Sequence, residues 1–171
     1  MPNWANFSMR IRGTKENCEK FKDILFHEND KLYFHRTFPY DNYTEGAIYS
    51  DYFMEFCGEC AWSFRCSMGE SQTYSDGTHS STVCEISKLL NLSVEIYTTE
   101  TGCLFSEHYF YKNGDELIAD CVDYDELWWY EEEYPTLEDF NAAMGTNYTL
   151  EDFHGNNYVV EGGFGEWEWA S

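Results

Sequence analysis

Polar and apolar residues alternate along "FSMRIRG", residues 7 to 13, and the run stops at a glycine, the pattern of a half-buried strand. The period then changes. Thr14 can cap "KENCEKFKDILFH", which places Cys18, Phe21, Ile24 and Leu25 on one helical face and the charges on the other. "KLYFHRTF", residues 32 to 39, predicts a second strand ahead of a Pro/Asn/Asp-rich turn. "AIYSDYFMEFCGECAWSFRC", residues 47 to 66, is aromatic and β-branched enough to predict a long or bent third strand broken near Gly58. Thr82 and Glu85 have capping-box spacing, and Val83, Ile86, Leu89 and Leu90 make the stripe of a second helix ending near Asn91. "LSVEIYTTE" alternates again, and a hairpin follows whose Asn113-Gly114 pair suits the two left-handed positions of a type I′ turn.

The order β-α-β-β-α-β predicts an α+β, ferredoxin-like antiparallel sheet extended by that hairpin. Beyond it "TLEDF" occurs twice, at 136 to 140 and at 149 to 153, each time with Thr at a cap position and acids in the first turn, where the helix dipole favours them. The expected organisation is a domain over residues 1 to 125 and an acidic, aromatic-rich extension of short helices over 126 to 171, packed on it.

Composition supports a folded chain: 43% of the 171 residues are hydrophobic and 19% aromatic, far from the composition that stays disordered. No window approaches the roughly 18 to 20 apolar residues of a membrane helix, and "MPNWANFSMRIRG" has no apolar signal-peptide core. The expected location is the cytoplasm, that of the host cell if a phage encodes the protein. The seven cysteines are an odd number without an export signal, which suggests reduced thiols rather than a disulfide scaffold.

Charge changes the picture most. The net charge is −22, and it is unevenly placed: residues 1 to 112 carry 16 acids and all 10 Lys and Arg, whereas residues 113 to 171 carry 16 acids and no base. Solubility rarely needs a net charge beyond about −8 on a small domain. Phosphate backbones are bound by displacing counterions with Lys and Arg, so this field repels DNA and RNA and points to a basic protein surface instead.

Three stretches, the opening "MPNW", the mid-chain "CGECAWSF" and the run "ISKLLNLSVEIYTTETGCLFSEHYFYKNGDEL", together resemble the YubB-type family of small phage and plasmid proteins with a ferredoxin-like domain. The resemblance covers roughly residues 1 to 125. It implies a fold and a mobile-element setting, and it brings no catalytic residues with it; Gly58, Cys60, Ala61 and Trp62 match the mid-chain motif and gain a role in the fold alone. Very acidic proteins of such elements are often inhibitors that present DNA-like charge to restriction or CRISPR enzymes, an analogy of setting rather than of residues.

Each candidate chemistry has a plainer counterpart. Cys57 and Cys60 have the C-x-x-C spacing that lets two thiolates share a zinc ion, with Cys66 as a third candidate ligand, but a structural site wants four ligands and no second pair exists. Free cysteines are more commonly buried apolar residues. The five histidines lie in different elements; Glu107 and His108 are adjacent, and neighbours in a strand point to opposite faces. There is no nucleophile elbow, phosphate loop or dinucleotide fingerprint. Asp123/Asp125 and Glu151/Asp152 lack the twelve-residue calcium-loop pattern.

These readings converge on a non-enzymatic, DNA-mimic-like inhibitor that uses no cofactor. It would bind the basic nucleic-acid channel of a host defence nuclease, in an anti-CRISPR or anti-restriction role, without binding nucleic acid or membrane itself. The expected contact residues are Asp123, Asp125, Glu126, Glu131, Glu132, Glu133, Glu138, Asp139, Glu151 and Asp152, with Trp129 and Tyr130 as anchors. The alternatives are a metal- or thiol-dependent module around Cys57, Cys60 and Cys66, and an acidic scaffold or oligomer with no inhibitory role.

Overall fold

In a computed structural model the described residues are 3–48, 50–100, 105–123, 136–145 and 147. The elements in chain order are β1 (Trp4–Gly13), α1 (Lys15–Leu25), β2 (Thr37–Ile48), β3 (Asp51–Ala61), a π-helical turn (Arg65–Gly69), α2 (Val83–Leu90), β4 (Ser93–Glu100), β5 (Phe105–Lys112), β6 (Asp115–Asp123) and α3 (Leu137–Met144). The chain divides into two units, Met1–Cys121 and Val122–Ser171.

The expected ferredoxin-like class is corrected. The described chain is a six-stranded antiparallel sheet with few helices, in the order β2-β3-β1-β4-β5-β6. Pairing decides this. The β4–β5 ladder runs unbroken from Ser93↔Lys112 to Glu100↔Phe105, and the β5–β6 hairpin extends the sheet to its edge as expected. Helices α1 and α2 pack against each other and on the sheet.

The second expected strand is also displaced. Residues 32 to 36 run outside the strands, and Phe34 is fully buried against Phe21 with ring centroids 5.6 Å apart. The expected turn is instead the body of β2. At a sheet edge Pro39 needs no partner for its missing N–H, and a register shift between Pro39 and Tyr43 absorbs the Asp41-Asn42 pair. β3 runs through Gly58 without a break: a Cβ there would lie 2.5 Å from the Phe38 carbonyl oxygen and 2.7 Å from the Phe7 ring. The glycine is the space that Phe7 fills.

Both expected helices form where their caps predict. Thr14 accepts from the Asn17 N–H at 3.3 Å, and Cys18, Phe21, Ile24 and Leu25 are the buried face of α1. Thr82 accepts from the Glu85 N–H while the Glu85 carboxylate accepts from the Thr82 N–H, and Asn91 closes α2 in the left-handed region at φ 51°. The core lies between the helices and one sheet face, where Phe7, Met9 and Ile11 of β1 meet Met54 and Phe56 of β3 and Val94 and Ile96 of β4. Among the described residues no helix is long and apolar enough to cross a membrane.

Candidate functional site

Acidic residues can be followed on two elements, β6, most of which lies in the first unit, and α3 in the second. On β6 the turn Asn113-Gly114 adopts the expected left-handed pair, φ 54° and 88°. Helix α2 holds that turn in place. The Gly114 N–H donates to Ser87 Oγ at 3.1 Å, its carbonyl accepts from Cys84 Sγ at 3.1 Å, and a Cβ at Gly114 would strike Lys88. From this anchored turn β6 forms one edge of the sheet, with Asp115, Glu116, Leu117, Asp120 and Cys121 exposed. Glu116 also accepts from the Tyr111 hydroxyl at 2.8 Å, and burial and Glu116 together push the Tyr111 phenol above its ordinary range.

Helix α3 begins as the first TLEDF segment predicts. Thr136 Oγ1 accepts from the Asp139 N–H at 3.1 Å and donates to Asp139 Oδ2 at 2.6 Å. Asp139 therefore closes the helix N-terminus as well as adding charge, whereas Glu138 is exposed beside it. Of the other expected contact residues, Asp123 ends β6, and Asp125, Glu126, Trp129, Tyr130, Glu131, Glu132, Glu133, Glu151 and Asp152 lie outside the described residues.

The cysteine candidates do not converge as spacing suggested. Cys57 and Cys60 are three apart in a continuous strand, so their side chains project from opposite sheet faces; Cys57 is exposed near Ser8, and Cys60 is buried in the core. One ion cannot bridge them across the sheet. Burial, then the Glu107 charge, pushes the Cys60 thiol well above its ordinary value, the reverse of what a nucleophile or thiolate ligand needs. Cys66 is exposed in the π-helical turn, and no group of three or more His, Cys, Asp or Glu capable of holding a metal occurs among the described residues.

Glu107 and His108 do face opposite ways. Glu107 turns to the core, where its Oε2 accepts from the Phe64 N–H at 2.7 Å and the Thr98 hydroxyl at 2.5 Å and so fixes the entry to the π-helical turn. His108 turns to the other face, with Nε2 2.9 Å from Glu95 Oε1 and its ring stacked on Tyr97 at 4.3 Å. Both His108 and Glu95 are at most 2% exposed, so the pair ties β4 to β5 rather than facing solvent.

No family model matches this chain. Neither the curated proteins nor the solved structures provide a match.

A second exposed feature lies at the other end of the sheet and is not marked by any sequence pattern. Trp4, Phe38, Tyr40 and Trp62 are all exposed, and the start of β1 pairs with the end of β3 through Trp4↔Ala61. Trp4 thus lies beside Ala61 of the "ECAW" stretch, and Asn3 beside Trp62. The family resemblance gives Trp62 a role in the fold alone and gives Trp4 none, and neither residue lies in an amphipathic pattern that marks it as outward-facing.

Proposed function

We propose that the chain is a non-enzymatic, DNA-mimic-like inhibitor that occupies the basic nucleic-acid-binding channel of a host defence nuclease. The observation that carries the reading is the exposed edge strand β6, with Asp115, Glu116 and Asp120, opening a segment of 16 acids and no base. A basic channel meets carboxylates on a strand whose own hydrogen bonds and anchored turn fix their positions. Electrostatic complementarity of this kind raises the rate of association and rejects acidic competitors. The capped first turn of α3 adds Glu138 and Asp139 to the same charge class. Such a target lies in the cytoplasm, which places the protein there as well.

The test is a binding and cleavage assay against purified restriction and CRISPR nucleases, across a salt series. The expected result is that one of them is protected from its nucleic acid, that affinity falls steeply with salt, and that reversing Glu131, Glu132 and Glu133 to Lys abolishes protection. Affinity independent of salt, or inhibition that survives the reversal, would overturn the proposal.

A further inference from the structure

Far from β6, across the sheet, the beginnings of β1 and β2 and the end of β3 meet in a corner of different chemistry. Trp4 is 39% exposed, Phe38 49% and Trp62 57%. The Trp4 and Phe38 rings pack edge to face at 5.2 Å, and main-chain hydrogen bonds from the Trp62 N–H to the Asn3 carbonyl at 2.9 Å and from the Ala61 N–H to the Arg36 carbonyl at 3.1 Å bring the backbones of Trp62 and Arg36 to the same corner. We propose that this corner is a docking surface for a partner protein that presents a carboxylate from an apolar or aromatic setting.

Two observations carry the proposal. The first is conformational. Trp62 sits at φ 79° and Arg36 at φ 46°, in the left-handed region that a bulky residue enters only at a cost. Glycine or asparagine would serve the backbone better at both places. The chain keeps a large aromatic and a guanidinium there, both exposed, and aromatic and arginine side chains are those that dominate binding energy in interfaces. Backbone strain of this kind collects at binding sites.

The second is charge. In a chain with 32 acids and 10 Lys and Arg, Arg10, Lys15, Lys20 and Arg65 each pair with a glutamate. Arg36 does not. Its guanidinium stands over the Trp4 ring at 5.9 Å, and among the described residues no carboxylate comes within ion-pair distance of it. The nearby Glu59 is engaged by the Tyr40 phenol, whose pKa is raised by burial and by that carboxylate. An exposed guanidinium on an aromatic floor is complementary to a carboxylate, which it can hold by two parallel hydrogen bonds. A second copy of the chain is disfavoured because each carries −22, and single-stranded nucleic acid, which also stacks on aromatics, is repelled by the same field. This surface is independent of the acidic one.

Indole-3-acetate, tryptamine and 3-methylindole share an aromatic body and differ in charge, so they can be titrated into the protein while the indole N–H resonances of Trp4 and Trp62 are followed by NMR. The expected result is a saturable shift with indole-3-acetate, about tenfold tighter than with tryptamine, against the attraction that a net charge of −22 gives the cation. Arg36→Gln should reduce indole-3-acetate to the level of 3-methylindole. Trp62→Gly should lose binding while keeping the circular dichroism spectrum, with Trp62→Asn as the second variant if the glycine form folds poorly. No saturable shift, tryptamine binding as well as indole-3-acetate, or an unaffected Arg36→Gln variant would each overturn the proposal. So would shifts that depend on protein concentration alone, which would identify a second copy, or a tighter response to oligo(dT). No nuclease enters the experiment, so its failure leaves the acidic reading standing, and the converse also holds.

Discussion

The two edges of the sheet solve opposite problems. At β6 the backbone is relaxed: an Asn-Gly turn takes left-handed angles at little cost, α2 braces it, and the exposed acids sit on a regular strand. At the β2 and β3 corner the backbone is strained at Trp62 and Arg36, and the exposed groups are aromatic and cationic. Long-range charge needs only approximate placement, because its field acts over a Debye length of about 8 to 10 Å. Contact by stacking and bidentate hydrogen bonding acts over one atom's width and demands a fixed backbone. The edge that invests conformational energy is the one whose chemistry is short-ranged.

The largest blow to the comparison should come from Gly58→Val. A Cβ there meets the Phe38 carbonyl, which is backbone and can yield only if β2 moves away from β3. We expect a loss of about 3 kcal/mol in urea unfolding. Hydrogen exchange should quicken in β2 while the amides of β5 stay protected, which would show the two edges to be separable.

Next in size is Asp115→Lys with Asp120→Lys. Both residues are exposed and make no ion pair with a described residue, so stability should stay within about 0.5 kcal/mol while affinity for the nuclease proposed as the target falls at least about tenfold at low salt and much less at high salt. Equal losses at both salts would show the acids to act by contact rather than by field.

Thr82→Ala removes the hydroxyl that caps α2 and bonds Glu85. The expected cost is about 1 kcal/mol, and because α2 braces the Asn113-Gly114 turn, the exchange of the Gly114 amide should quicken with it.

The smallest effect concerns His35, next to Arg36 in the chain, whose Nδ1 is hydrogen-bonded to the Tyr74 hydroxyl. Burial, and then the Arg36 charge, lowers its pKa below the ordinary value. The unfolded chain therefore takes up this proton first as pH falls, so its contribution is complete above about pH 6.5 and is lost as pH drops through the lowered folded pKa. Thermal midpoints from pH 7.5 to 5 should fall more in the native chain than in His35→Gln; a steeper fall in the variant would reverse the assigned direction.

What the sequence revealed followed from local rules. Thr14, the Thr82/Glu85 box, Asn91, Thr136 and Asn113-Gly114 act within a few residues of themselves, and each does in the fold what its spacing implies. What it concealed depended on position in the sheet. Pro39 and Asp41-Asn42 resemble a turn until β2 is known to be an edge, and Cys57 and Cys60 resemble a ligand pair until β3 is known to run straight through Gly58. The aromatic corner was hidden for the same reason: Trp4 and Trp62 are 58 positions apart, and only the β1–β3 register makes them neighbours. Of the proposed acidic surface, composition marks the whole base-free segment, and the strand order adds that Asp115, Glu116 and Asp120 stand on an edge strand.

The proline and register shift in β2 have a consequence for the protein in bulk. An edge strand of twelve residues is long enough to template another chain, and at the other edge of the sheet β6 repels a second copy by charge. Salt weakens that repulsion but leaves the shape of β2 unchanged. Concentrated solutions should therefore stay clear through ionic strengths that screen the acids, because the strand least protected by charge is the one whose outline does not fit its own copy.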